Sequence, residues 1–113
     1  MTNTTTTLLP PFYAESNSTL AVTSTSANVA VGYVGDVLLL QNDGYSTCYV
    51  ALGIDSTVTA TAGGTTTAAN TGSMPILAGS TILIRVIPNL GYVAAITDGS
   101  NTTTLRISRG TGV

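Results

Sequence analysis

The sequence predicts an all-β protein: a single-domain antiparallel β-sandwich, jelly-roll-like, with an extended N-terminal arm. Three observations predict it. Twenty-two of the 113 residues are Thr, whose branched Cβ is stiff at χ1 and packs well on a pleated surface. Short apolar runs recur between turn signals at spacings of roughly 8–12 residues, the rhythm of sandwiches and jelly rolls rather than of βαβ units. No window carries a helical period, and no fixed-length repeat marks a solenoid.

Residues 1–17 read as the arm. Thr4 to Thr7 is a polar low-complexity run, and Leu8-Leu9-Pro10-Pro11-Phe12-Tyr13 follows. Two consecutive prolines favour an extended, polyproline-like chain. The apolar residues here have no periodic neighbours with which to build a local core. Leu8, Leu9, Pro10, Pro11, Phe12 and Tyr13 are therefore candidate anchors on a partner, and the arm is expected to order on binding.

Residues 18–113 read as the sandwich. Thr19 to Thr23 places Leu20 and Val22 on one face, and Ala27 to Val31 does the same with Val29 and Val31. Val37-Leu38-Leu39-Leu40 is continuous enough for a strand buried on both sides. Asn42-Asp43-Gly44 predicts a hairpin turn, after which Thr47 to Leu52 alternates Cys48, Val50 and Leu52 against Tyr49 and Ala51. Thr57 to Ala60 is a weaker strand. The small, polar run at 61–73 predicts a surface loop. Met74-Pro75-Ile76-Leu77, the Ala78-Gly79 turn and Thr81 to Ile87 follow, with Ile82, Ile84 and Val86 opposite Leu83, Arg85 and Ile87. Pro88 to Gly91 turns into Tyr92 to Thr97. Asp98-Gly99-Ser100 turns into Thr103 to Ser108, with Leu105 and Ile107 facing in, Arg106 and Ser108 out.

Charge narrows function. Only 7% of residues are charged against 43% hydrophobic, with no Lys and no His; an average domain is roughly a quarter charged. The commonest general base and the Schiff-base residue are thus missing, and no enzyme activity is expected. A net charge of −2 with three Arg argues against nucleic acid, which needs clustered cations. No run reaches the length of a membrane-spanning helix. The opening MTNTTTTLLPP lacks a basic n-region and a long apolar h-region, so no secretory signal is expected. One cysteine excludes an internal disulfide framework, and synthesis and assembly in cytoplasm fit.

The remaining constellations have ordinary explanations. Glu15, Asp36, Asp43, Asp55 and Asp98 include a possible glycosidase pair, but Asp43 and Asp98 precede Gly and Asp36 follows one, where turn chemistry accounts for them. Cys48 reads as a small core residue. Neither metal nor cofactor is expected, because the ligand spacing is absent. Three Asn-X-Ser/Thr matches are chance in a chain this rich in hydroxyls. The Tyr residues could stack on sugars, though an amphipathic ring beside a strand is ordinary. Arg106 and Arg109 are candidate polar contacts on a partner, against the alternative of a solvated strand edge.

Six segments carry a resemblance: Thr23 to Val29, Leu38 to Gly44, Tyr49 to Gly53, Met74 to Ser80, Tyr92 to Thr97 and Leu105 to Val113. From about Ser24 onward the chain is similar to the head decoration, or cement, proteins of short-tailed bacteriophages. The resemblance implies a β-sandwich on the outer surface of the virion head, bound to the major capsid protein. It also implies a homodimer at two-fold or quasi-two-fold positions that staples neighbouring subunits. A receptor- or carbohydrate-binding module of a tail or fibre is the alternative.

Overall fold

A Thr-rich chain with two-residue alternation can bury one face of each strand only by stacking two sheets. The computed structural model, which describes residues 12–62 and 73–112, shows that arrangement. Its strands are β1 (Phe12–Val22), β2 (Ala27–Ala30), β3 (Val37–Asn42), β4 (Cys48–Gly53), β5 (Met74–Ile76), β6 (Thr81–Arg85), β7 (Tyr92–Thr97) and β8 (Thr103–Gly112), with no helix among the described residues. One sheet has the order β1-β8-β3-β6 and the other β2-β7-β4-β5, all antiparallel. Every connection passes from one sheet to the other, except β4 to β5.

The inward residues form one core. Leu20, Val22, Leu38, Leu40, Leu105 and Ile107 from the first sheet meet Cys48, Val50, Ile76, Val93 and Ala95 from the second. A smaller cluster lies on the outer face of the second sheet, where Val58 and Ala60 pack over Ala51, Ala94 and Ile96. The alternation expected from Thr19 to Thr23, Thr81 to Ile87 and Thr103 to Ser108 is realised in these burial patterns; in Cys48 to Leu52 it is interrupted, because Ala51, expected to face out, is buried under the outer cluster and Leu52 is only half-buried.

Four local expectations are corrected. The boundary set after residue 17 falls inside β1: Phe12 to Asn17 pair with β8 between Gly112 and Ser108. The strand is hidden in the sequence because this half of β1 is exposed or half-buried throughout, so it lacks alternation. Thr57 to Ala60 forms no ladder. Side chains satisfy its backbone instead, with Ala60 N–H donating to Ser26 Oγ at 2.9 Å and Thr57 N–H to Asp55 Oδ1 at 3.0 Å.

Asn42-Asp43-Gly44 makes a corner, not a hairpin. β3 already has β8 and β6 on its two sides, so the chain must leave for the other sheet. The fourth correction is Arg109. Two residues beyond Ile107, it continues the inward alternation and is fully buried, which makes it neither a solvated edge residue nor an open partner contact.

Candidate functional site

Chemistry-bearing side chains are separated and locally occupied. Asp36 pairs with Arg85 at 3.0 Å and Asp43 with Arg106 at 2.8 Å. Asp98 accepts the Tyr49 hydroxyl at 3.2 Å. Partial desolvation first, and the Asp98 carboxylate second, push the Tyr49 phenol above its ordinary pKa. Asp55 accepts both the hydroxyl and the N–H of Thr57, which hold its carboxyl below the usual range. Cys48 is buried and free, and burial pushes its thiol up to about 11; such a thiol is a poor nucleophile at neutral pH. Among the described residues no group of three His, Cys, Asp or Glu could hold a metal ion.

The unusual electrostatic feature lies at the end of the sandwich where β1 begins and β8 finishes. Arg109 Nε–H donates to Gly35 O at 2.9 Å, and Nη1 donates to Gly32 O at 3.2 Å and to Leu90 O. Nη2 is buried with no partner among the described residues. Burial lowers the guanidinium pKa below its ordinary value, partly opposed by the nearby Asp36 charge. Arginine stays charged in proteins, so the side chain brings a full charge to three backbone carbonyls. One bridge therefore ties the β2–β3 loop, the β6–β7 loop and β8.

The backbone there is correspondingly close. Gly35 has φ +107°, and a Cβ on it would lie 2.1 Å from Gly110 O. Gly110 in turn packs so tightly on β1 that a Cβ would lie 2.0 Å from Tyr13 O. Only glycine fits both the conformation and the contact.

Outside this tie, apolar side chains face solvent. Tyr13, Tyr33, Val34, Ile54 and Ile87 are all more than half exposed. All five sit at this end, on the start of β1 and on the loops that follow β2, β4 and β6. Backbone bonds join those loops, Val31 N–H to Gly91 O at 2.8 Å and Gly91 N–H to Gly53 O at 3.1 Å, and Leu90 N–H to Ile87 O at 3.2 Å closes the turn within the β6–β7 loop. The Tyr33 ring lies against Gly91, and its hydroxyl reaches Ile54 O at 3.5 Å. Exposed apolar side chains scattered singly are normal; gathered ones mark contact sites.

Of the six anchors expected from the sequence, Phe12 is half-buried on β1 and Tyr13 is exposed at this end. Leu8, Leu9, Pro10 and Pro11 lie outside the described residues. Tyr33, Val34, Ile54 and Ile87 were not singled out as contacts. The signal for them is an apolar residue directly beside Gly32, Gly35 or Gly53 or, for Ile87, beside Pro88, where the strand pattern ends.

Arg106 lies elsewhere, on the outer face of the first sheet. With Gln41 it lines two adjoining clefts of about 300 and 210 Å³, completed by Asn42, Asp43 and Ser80 on one side and Asn17, Thr19 and Ser108 on the other. A third cleft of about 430 Å³ runs under the fully exposed Tyr45, beside Asp43 and Thr102 to Thr104. Arg106 and Arg109, close in sequence, thus serve opposite sides of the same sheet. No family model matches the chain, and no curated protein and no solved structure matches it either.

Proposed function

We propose that the protein is a non-enzymatic decoration protein that binds the outer surface of a phage head and staples neighbouring major capsid subunits. The observation that carries this reading is the gathering of Tyr13, Tyr33, Val34, Ile54 and Ile87 at one end of the sandwich, on loops tied by a buried guanidinium. A rigid apolar end on an almost uncharged body suits docking by burial and neutral hydrogen bonds rather than by charge steering. The strand order, with six of seven connections passing between sheets, supports reading the sandwich as a jelly roll, two Greek keys wound together.

In this account Leu8, Leu9, Pro10 and Pro11, outside the described residues, add to the anchors Phe12 and Tyr13. Each copy buries surface shared by two capsid subunits, so parting them breaks those contacts too. A ligand that binds only the assembled state stabilises it by mass action. The protein acts as a homodimer at two-fold or quasi-two-fold positions and requires neither metal nor cofactor.

The test is to mix the purified chain with undecorated heads of the phage that encodes it and to image the particles. Hundreds of copies on the outer surface, and heads that withstand more heat, are expected. Absence from the heads, or a few copies confined to the tail, would overturn the reading. The cleft under Tyr45 favours one second reading, a carbohydrate-binding module, because an exposed ring above hydroxyls and a carboxylate suits a sugar. Glycan binding that Tyr45→Ser abolishes would establish it.

A further inference from the structure

Each sheet of an open sandwich has two edges, and an unguarded edge is a template for another strand. Three of the four edges are guarded. β5 has three residues with Pro75 in the middle, and proline cannot donate to a ladder. β1 and β2 close on each other along one side, where Ser16 Oγ donates to Val31 O at 3.0 Å and Ser18 Oγ to Ala30 O at 2.9 Å. β1 also breaks register between Ala14 and Ser16, beside the exposed Glu15.

β6 has no such protection. Thr81-Ile82-Leu83-Ile84-Arg85 contains no proline, its ladder with β3 has no bulge, and its single charge is already turned to Asp36. Its register on β3 shows which groups are spare. Asn42 N–H donates to Ser80 O at 2.9 Å and Val86 N–H to Asp36 O at 2.8 Å, bracketing pairs that run from Gln41–Thr81 to Val37–Arg85. Antiparallel pairs alternate between bonded and non-bonded. Residues 80, 82, 84 and 86 therefore bond to β3, and Thr81, Leu83 and Arg85 direct their N–H and C=O groups away from the sheet. Among the described residues nothing pairs with that edge.

We propose that the partner of this edge is a second copy of the chain, with β6 against β6, antiparallel about a two-fold axis at Leu83. The strand is self-complementary in this register. Leu83 faces Leu83 of the second copy, and each Thr81 faces an Arg85. All three are residues with spare groups, so six backbone hydrogen bonds form. Arg85 meets a hydroxyl rather than another Arg85, whereas centring the axis on Arg85 would oppose like charges. The two Leu83 side chains meet on the outer face, and the half-buried Ile82 and Ile84 pair across the open edge of the core. The product is one continuous eight-stranded sheet, β1-β8-β3-β6 followed by its symmetry mate, an isologous dimer. This deepens the homodimer of the proposed function but stands independently of what the dimer decorates.

Sedimentation and amide exchange of the isolated full chain test it. Wild type should sediment at twice the single-chain mass, with the amides of Thr81, Leu83 and Arg85 protected. Leu83→Lys opposes two charges at the axis; it should sediment as a single chain with an unchanged circular dichroism spectrum, and those three amides should exchange freely. Should that variant fail to fold, Leu83→Cys decides. Opposed residues in a bonded antiparallel pair have Cα atoms about 5.5 Å apart, within the disulfide range. Mild oxidation should then give a covalent dimer from Leu83→Cys and none from Tyr45→Cys. A single-chain or three-fold wild type would overturn the proposal, as would a dimer that survives Leu83→Lys. A dimer of this kind that ignores heads would leave the edge pairing intact and sink the decoration reading alone.

Discussion

At the end where β1 begins, the loops are tied by the charged guanidinium of Arg109; at the opposite end, the β3–β4 corner is tied by the neutral amide of Asn42. Both side chains are buried and both reach backbone carbonyls of neighbouring segments. Asn42 Nδ2 donates to Ser46 O and Ile76 O, each at 2.8 Å, and its Oδ1 accepts the Thr103 hydroxyl at 2.6 Å. The polar capacity of that amide is nearly used up within a short reach. Arg109 reaches farther, joins three segments and leaves Nη2 over.

The difference shows in what each end presents. Over the loops tied by the guanidinium, Tyr33, Val34, Ile54 and Ile87 are each more than half exposed. The Asn42 end folds tight turns around the side chains of Asn42, Thr97 and Thr103, and leaves Tyr45 and Leu77 exposed. Five exposed apolar side chains gather at the Arg109 end and two at the Asn42 end.

The largest effect should come from Arg109→Met. It removes three charge-assisted hydrogen bonds and leaves their carbonyls buried, a loss of at least about 3 kcal/mol. Thermal unfolding should show it, with amide exchange rising first in the loops near Gly32, Gly35 and Leu90. Arg109→Lys should recover little, because an ammonium cannot span the fork. An unchanged midpoint for either variant would break the comparison at its root.

Asn42→Ala should cost about 2–3 kcal/mol, since two carbonyls and the Thr103 hydroxyl lose their partner. Combined with Thr103→Val, the loss should be less than the sum of the two single changes, as expected for groups in one network. Strict additivity in chemical denaturation would show that Asn42 and Thr103 act separately.

Cys48 lies in the core between the two ends and predicts an alkaline limit. Its thiol titrates near 9.0 when unperturbed and near 11 in the fold. The unfolded state thus releases its proton first, and stability present below pH 9 is lost as pH rises towards 11. Cys48→Ala should make that slope shallower, leaving only the part that the likewise raised Tyr49 phenol contributes, which denaturation at pH 8, 9.5 and 10.5 would reveal. Smallest of all should be Arg106→Gln. The Arg106–Asp43 pair is more than half exposed on both sides, and such pairs contribute about 0–1 kcal/mol. A shift of several degrees in midpoint would contradict the view that surface charge matters little here.

The strands were legible where one face is wet and one dry. Thr19 to Thr23 and Thr103 to Ser108 state their alternation openly, and Leu38 and Leu40 are as buried as a central strand requires. What sequence could not express was which sheet receives a strand. Asp-Gly after Leu40 and Gln41 looks like a hairpin because turn chemistry is local, whereas the corner is imposed by two neighbours already flanking β3. Phe12 to Asn17 were hidden for a related reason: their ladder partner, Ser108 to Gly112, is about 95 residues away, and the pair buries little. Arg109 itself was legible by carrying the Leu105–Ile107 alternation one step further. A charged residue in that register reads as exposed only until the three carbonyls waiting for it are known.

The central claim, that the Arg109 end is the docking end, is tested most directly by measuring head binding for matched surface variants. Tyr33→Ser, Ile54→Ser and Ile87→Ser should each keep the wild-type unfolding midpoint to within a few degrees. Each should weaken binding to undecorated heads by roughly tenfold or more, the affinity equivalent of losing about 1.5 kcal/mol of apolar burial. Tyr45→Ser, at the opposite end, should bind as wild type does. Unchanged affinity for all three variants at the Arg109 end, or a loss confined to Tyr45→Ser, would contradict the account.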